Sequence, residues 1–213
     1  MNDPLQRLRA ARLYLVCDER SDEFLEHALR GGVDIVQLRI KDATDDDRMV
    51  KVARRYAAVC ARHQALLILN DRPDLVAAAG ADGVHVGQDD APVSEARNAV
   101  GADKLVGLST HSPAQIDAAR ETSANYVGVG PVHSTPTKPG RPAVGLELVR
   151  YAAAHASVPF FAIGGIDEHG VVAVRRAGAE RVAVVRALTE SHDPQRTARR
   201  LRDGLEEVRV GAA

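Results

Sequence analysis

"AGADGVHVGQDD", residues 79–90, contains the unit from which the rest of the chain is built. Its first residues read as the end of a helix, because glycine commonly closes a helix and the next strand begins within a few residues. "GVHVG" (83–87) follows within a few residues and is too short and too valine-rich for a helix. It reads as a strand buried on both faces. Polar "QDD" (88–90) comes next. A helix closes, a strand crosses the core, and the strand's far end carries side chains capable of chemistry. The same turn recurs as "AGAE" (177–180), ahead of "RVAVVRAL" (181–188).

Working outward, short apolar runs of this kind recur as "RLYLVCD" (12–18), "DIVQLRIK" (34–41), "ALLILND" (65–71), "LVGLST" (105–110), "YVGVGP" (126–131) and "PFFAIGGI" (159–166). With the two above they number eight. Amphipathic stretches separate them. "TDDDRMVKVARRYAAVCARH" opens with Thr44 as an N-cap and acidic residues in its first turn, and "SEARNAV", "PAQIDAARETS", "LELVRYAAAHA" and "EHGVVAVRRAG" follow. Eight strand–helix units in 213 residues predict an α/β fold, a single (β/α)8 TIM barrel spanning residues 1–213. The segment after Ser191 reads as the closing helix. An open doubly wound sheet fits less well, since the first strand–helix turn has no G-x-G-x-x-G.

Composition narrows the function. A formal net charge of −1 argues against a general nucleic-acid or membrane-surface binder, so any anion site is a local arrangement. No apolar run approaches the ~18 residues that span a bilayer. The N-terminal stretch shows no secretion signal, and Cys17 and Cys60 lack motif spacing, so the expectation is a cytoplasmic protein with reduced thiols. The expected partners are small molecules, with no nucleic acid and no membrane; self-association is left open.

In a TIM barrel the active site lies at the C-terminal ends of the strands. "QLRIK" places Gln37, Arg39 and Lys41 at alternate positions, hence on one side of the second strand. The bland alternative is an edge strand with snorkelling cations. The third run ends in Asn70 and Asp71, and Asp90 follows the fourth. Two carboxylates at neighbouring strand ends can share Mg²⁺; the alternative makes Asp71 a helix cap and "DD" a solvated turn. Ser109 and His111 end the fifth run, where Ser109 offers a donor to phosphate and His111 reads as a structural hydrogen-bonding residue. After the sixth strand comes "VHSTPTKPGRPAVG" (132–145), too proline-rich for a helix, with threonine donors and Lys138 as a point charge for phosphate. "IGGI" lets the backbone approach a ligand closely. Two anion sites emerge, one cationic and metal-assisted and one built mostly from backbone.

"QLRIK", "ND", "GVHVGQDD", "GLSTH", "GPVHSTPTKPG" and "AIGGI" stand in the order found in thiamine-phosphate synthases, and the sequence resembles that family over residues 12–205. The resemblance implies an Mg²⁺-assisted transferase. It would couple 4-amino-5-hydroxymethyl-2-methylpyrimidine diphosphate with hydroxyethylthiazole phosphate, releasing pyrophosphate. It implies that Gln37, Tyr14 and His85 meet the pyrimidine, and that Arg39, Lys41, Asn70, Ser109 and Lys138 surround the diphosphate. It further implies Asp71 and Asp90 as metal ligands. Thr135, Thr137, Gly165, Val185 and Arg186 would hold the thiazole phosphate. Arg39, Lys41 and Lys138 would stabilise the leaving group. Two positions depart from the family: Ile40 replaces an acid and should point outward to a helix, and Arg186 stands where serine is common. A thiazole tautomerase of the same barrel family and a non-catalytic thiamine-phosphate binder are the alternatives.

Overall fold

The computed structural model describes residues 3–40, 45–134 and 142–206. Its eight strands are β1 (Leu13–Cys17), β2 (Ile35–Leu38), β3 (Leu66–Asn70), β4 (Gly83–Val86), β5 (Leu105–Thr110), β6 (Tyr126–Val129), β7 (Phe160–Ile163) and β8 (Val182–Val184). Each pairs in parallel with the next, and β8 pairs with β1 to close the barrel and remove every sheet edge. The predicted (β/α)8 architecture is therefore the observed one.

The pleat explains the near-continuous apolar runs. Alternate side chains leave a strand on opposite faces, and here both faces are covered. In β1, Tyr14 and Val16 enter the barrel interior with Ile35, Ile68, Tyr126 and Phe161. Leu13, Leu15 and Cys17 face outward into the layer shared with the helices. Leu66 and Ile68 of β3 likewise point in, and Leu67 and Leu69 out. Ile40 packs against the outer layer, as its place opposite Arg39 requires.

The helices are α1 (Pro4–Ala10), α2 (Asp22–Arg30), α3 (Asp46–Arg62), α4 (Val76–Ala79), α5 (Val93–Val100), α6 (Pro113–Ala118), α7 (Gly145–His155), α8 (Val171–Arg176), α9 (Arg186–Thr189) and α10 (Pro194–Glu206). Side-chain caps set several starts. Ser21 accepts from the backbone N–H of Phe24, and Ser112 from that of Gln115. The cap of α3 is Asp45, which accepts from Arg48 N, so the helix starts one residue later than a Thr44 cap implies; Thr44 itself lies outside the described residues. Gly80 closes α4 at φ 68°, as its sequence context predicts.

Two parts of the fold were not anticipated. Helix α1, ahead of the first strand, brings Leu5 and Leu8 into the inner cluster and stops the N-terminal mouth of the barrel. The eighth run is a strand only over Val182–Val184, and its second half turns into α9. A continuous apolar run conceals that break.

Candidate active site

The C-terminal ends of the strands surround a cavity of about 330 Å³, the size of a small-molecule site. Its floor is made by side chains that point up the barrel axis. Gln37 is 4% exposed, a buried polar group that needs a partner. Its Nε2 donates to Tyr14 Oη at 2.8 Å. The Tyr14 and Tyr126 hydroxyls are 2.9 Å apart. Tyr126 Oη lies 3.2 Å from His85 Nδ1, and His85 Nε2 lies 2.9 Å from Ser109 Oγ. Burial raises the pKa of both phenols well above the ordinary tyrosine value, so both stay protonated. Room for this chain comes from Gly107, which lies between His85 and Tyr126 in the β4–β5–β6 register. A Cβ there would meet Tyr126 Cζ at 2.2 Å and His85 Nδ1 at 2.5 Å.

One rim is acidic and cationic. Asp71 directly follows β3 with φ 57°, a left-handed conformation that aspartate tolerates better than most residues. Its N–H donates to His85 O at 2.9 Å, and Asn70 Nδ2 donates to its Oδ2 at 2.5 Å. The cap reading of Asp71 does not describe this structure, since the following turn at Pro73–Leu75 is led by Arg72. Arg72 instead pairs with Asp46 and Asp74 and ties this rim to the start of α3. Asp90 folds back so that Gly87 N donates to its Oδ2 at 2.8 Å. Gly87 lines the cavity; Asp90 itself does not, and is tied to it only through that bond. Arg39 lines the cavity beside Gln37 and Asn70.

The opposite wall is backbone-rich. Gly164 and Gly165 have φ of 108° and 66°, and a Cβ on either would press on the segment after β6, at Pro131 Cα (2.5 Å) and His133 Cβ (2.7 Å). "IGGI" is thus glycine for both conformation and closeness. Val185 and Arg186 complete this wall at the start of α9, where the first N–H groups of a helix have no partner within it.

Most of the sequence-derived site therefore converges. Gln37, Arg39, Asn70, Asp71, His85, Ser109, Gly165, Val185 and Arg186 all line one cavity. Tyr14 does not reach its surface; at 2% exposed it lies beneath Gln37 and supports it. Lys41, Thr135, Thr137 and Lys138 lie outside the described residues. His111 lines the cavity, with Nδ1 2.6 Å from Gly130 O and its backbone N–H donating to Gln115 Oε1. Sequence reading missed Tyr126 and Gly107, whose roles depend on packing across three strands.

The location of these groups defines the class. They gather at the ligand-binding end of a TIM barrel, with a polar floor suited to a heterocycle and two walls suited to anions. The chain belongs to the thiamine monophosphate synthase family, whose pattern matches residues 13–188. It is similar to a thiamine-phosphate synthase of Gloeobacter violaceus, at 51% identity over 90% of this chain and 56% of that protein. Another, from Mycolicibacterium smegmatis, is 47% identical over 95% of both chains. This chain thus spans little more than half the length of some relatives and nearly all of others. Among solved structures it is similar to thiamine phosphate pyrophosphorylase from Pyrococcus furiosus, at TM-score 0.85 and 29% identity over 97% of this chain and 98% of that one.

Proposed function

We propose that residues 1–213 form a single barrel that acts as a thiamine-phosphate synthase. It joins 4-amino-5-hydroxymethyl-2-methylpyrimidine diphosphate to hydroxyethylthiazole phosphate and releases pyrophosphate. The observation that carries this reading is one cavity with a buried amide floor, a rim holding Arg39 and Asp71, and a glycine wall opposite. On this reading Gln37 binds the pyrimidine and Ser109, Asn70 and Arg39 meet the diphosphate. The backbone of Gly165, Val185 and Arg186 receives the thiazole phosphate. The sequence pattern adds Lys41 and Lys138 to the diphosphate and Thr135 and Thr137 to the thiazole phosphate.

The residues present fit Mg²⁺. Asp71 and Asp90 offer hard oxygen donors, each steadied by one N–H. Among the described residues there is no cluster of three or more His, Cys, Asp or Glu side chains that could enclose an ion. A pair of carboxylates suits a cation that keeps waters and binds substrate phosphates. When bound, Mg²⁺ would neutralise charge on the leaving diphosphate.

The protein needs no nucleophile of its own. The aminopyrimidine donates electron density to its exocyclic methylene as the C–O bond breaks, and the thiazole nitrogen then takes the carbon. Arg39, with Lys41 and Lys138, stabilises charge that grows on the departing oxygens. The floor and the glycine wall hold the two partners in line. This chemistry asks for no general base at the first bond to break, which is the reading taken for His111, whose Nδ1 lies 2.6 Å from Gly130 O. We place the protein in the cytoplasm with small-molecule partners; among the described residues no helix is long and apolar enough to cross a membrane.

The test is pyrophosphate release with both substrates, each substrate alone, and Mg²⁺ present or chelated. Release that requires both substrates and the metal is expected. A tautomerase would instead convert the thiazole phosphate alone, and a binding protein would release nothing.

A further inference from the structure

The chain of hydrogen bonds under the cavity joins β2, β1, β6, β4 and β5, and only its ends and His85 reach the cavity. Tyr14 and Tyr126 are 2% and 0% exposed, so no solvent can reorient them. Each hydroxyl carries one proton and a neutral imidazole one N–H. Proton counting then fixes the rest. With Gln37 Nε2 donating to Tyr14, the Tyr14 proton goes to Tyr126 and the Tyr126 proton to His85 Nδ1. His85 carries its own proton on Nε2 and gives it to Ser109 Oγ. The Ser109 proton is then available to a ligand, and Gln37 keeps Oε1 for the cavity. For a neutral imidazole, reversing every bond is the one other arrangement that fills all four contacts and leaves no tyrosine proton unpartnered. In that state Ser109 spends its proton on His85, and Gln37 turns its N–H groups to the cavity.

The two ends are therefore not independent. A donor at Ser109 goes with an acceptor at Gln37, and an acceptor at Ser109 with a donor at Gln37. An anion beside Ser109 needs the donor.

We propose that Tyr14, Tyr126 and His85 form a polarity relay, through which an anion bound at Ser109 makes Gln37 present its carbonyl oxygen and so selects a pyrimidine bearing an amine over the same ring bearing a carbonyl. This rests on reading the cavity as the pyrimidine diphosphate site and deepens it. Tyr14 and Tyr126 are positioning residues that act on substrate choice without touching substrate.

Binding, rather than turnover, is the readout, because replacing the amine also changes the electronics of the reaction. Calorimetry would compare the aminopyrimidine diphosphate, its 4-oxo analogue and inorganic pyrophosphate on the full chain with Mg²⁺. The wild-type protein should prefer the amine about tenfold or more, the scale of one mismatched buried hydrogen bond. In Tyr126→Phe, which keeps the ring and breaks the relay, that preference should fall below about threefold while pyrophosphate affinity changes little. A folded Tyr126→Phe, or Tyr14→Phe should the first not fold, that keeps the wild-type preference overturns the proposal. The unmodified protein gives a second measurement. Nitrogen-15 NMR of the pyrophosphate complex should show His85 protonated at Nε2 and bare at Nδ1; the opposite tautomer or a doubly protonated ring overturns the relay alone. A wild-type protein that binds the aminopyrimidine diphosphate no better than pyrophosphate overturns the reading of the cavity, and the relay with it.

Discussion

The two mouths of the barrel use the same side-chain types for opposite purposes. At the N-terminal mouth, Asp34, Asp82 and Asn125 stand one residue before β2, β4 and β6. Each accepts from a backbone N–H at the start of the preceding odd strand: Asp34 from Leu13 at 2.9 Å, Asp82 from Leu67 at 2.9 Å and Asn125 from Val106 at 2.8 Å. An arginine backs each one, Arg202 at 2.7 Å, Arg7 at 2.6 Å and Arg97 at 2.6 Å. The same latch is thus built three times to hold strands in register. At the C-terminal mouth, Asp71 takes an N–H from Asn70 and lines the cavity, and Asp90 takes one from Gly87, which lines it. Which end of the strand a carboxylate occupies decides whether it stabilises the fold or meets a ligand.

The sharpest way to break this contrast is to remove one carboxylate from each mouth. Asp71→Ala or Asp90→Ala should lower the coupling rate by on the order of 10²-fold or more, the scale of a lost transition-state electrostatic contact. The thermal midpoint should barely move. Rates titrated against Mg²⁺, beside melting curves, check both halves. Either variant retaining wild-type rate and metal dependence would remove that carboxylate from the site.

Asp34→Ala should do the reverse. It strands two backbone donors, at Arg12 and Leu13, and the Arg202 guanidinium. A loss of about 1.5–3 kcal/mol of stability is expected, with kcat/KM of the folded fraction close to wild type. Urea unfolding and initial rates at low temperature separate the two. An active-site defect at full stability would mean the latches reach the upper mouth.

Gly107→Ala tests the layer between the mouths. The added methyl would press on Tyr126 and His85 at once, and overpacking of this kind costs about 1–3 kcal/mol. The KM for the pyrimidine diphosphate should rise more than that for the thiazole phosphate, because the clash lies under Gln37 and Ser109. Equal changes in both would show that the floor serves only the fold.

The barrel was legible because its signals are local. Valine-rich runs with polar ends and glycine-closed helices repeat often enough to fix the unit count. The rim was legible for the same reason, since Gln37 and Arg39 or Asn70 and Asp71 carry their meaning in adjacent or alternate letters. The break after Val184 was hidden, because "VAVVRAL" stays apolar through a change from strand to helix. The N-terminal plug was hidden too. Seven residues of α1 hold only two apolar side chains that enter the inner cluster, and tertiary burial gives them their role. Tyr126 could not be read as part of the site. The polar residue beside it, Asn125, serves the opposite mouth, and its partners come from β1 and β4.

Glu26 on α2 offers the smallest effect and the cleanest control, because it belongs to neither mouth. It accepts from Arg62 Nη2 at 2.6 Å and meets His63 Nε2 at 2.6 Å, tying α2 to the end of α3. The Arg62 hydrogen bond, then that of His63, holds its carboxyl at about 2, below its ordinary 4.5. A carboxyl whose folded value is depressed stabilises the fold only where the unfolded chain is also ionised. Its contribution should therefore be complete above about pH 4.5 and fade as the pH falls toward about 2. The melting-temperature gap between wild type and Glu26→Gln should be small and constant near neutrality, as for an ion pair at the surface, and close as acid is added. A gap that persists at about pH 2 would mean the variant acts through packing and not charge. The rate per folded molecule should stay the same throughout. A carboxylate on the outer layer that altered turnover would show that position at a barrel mouth is not what divides structural acids from functional ones.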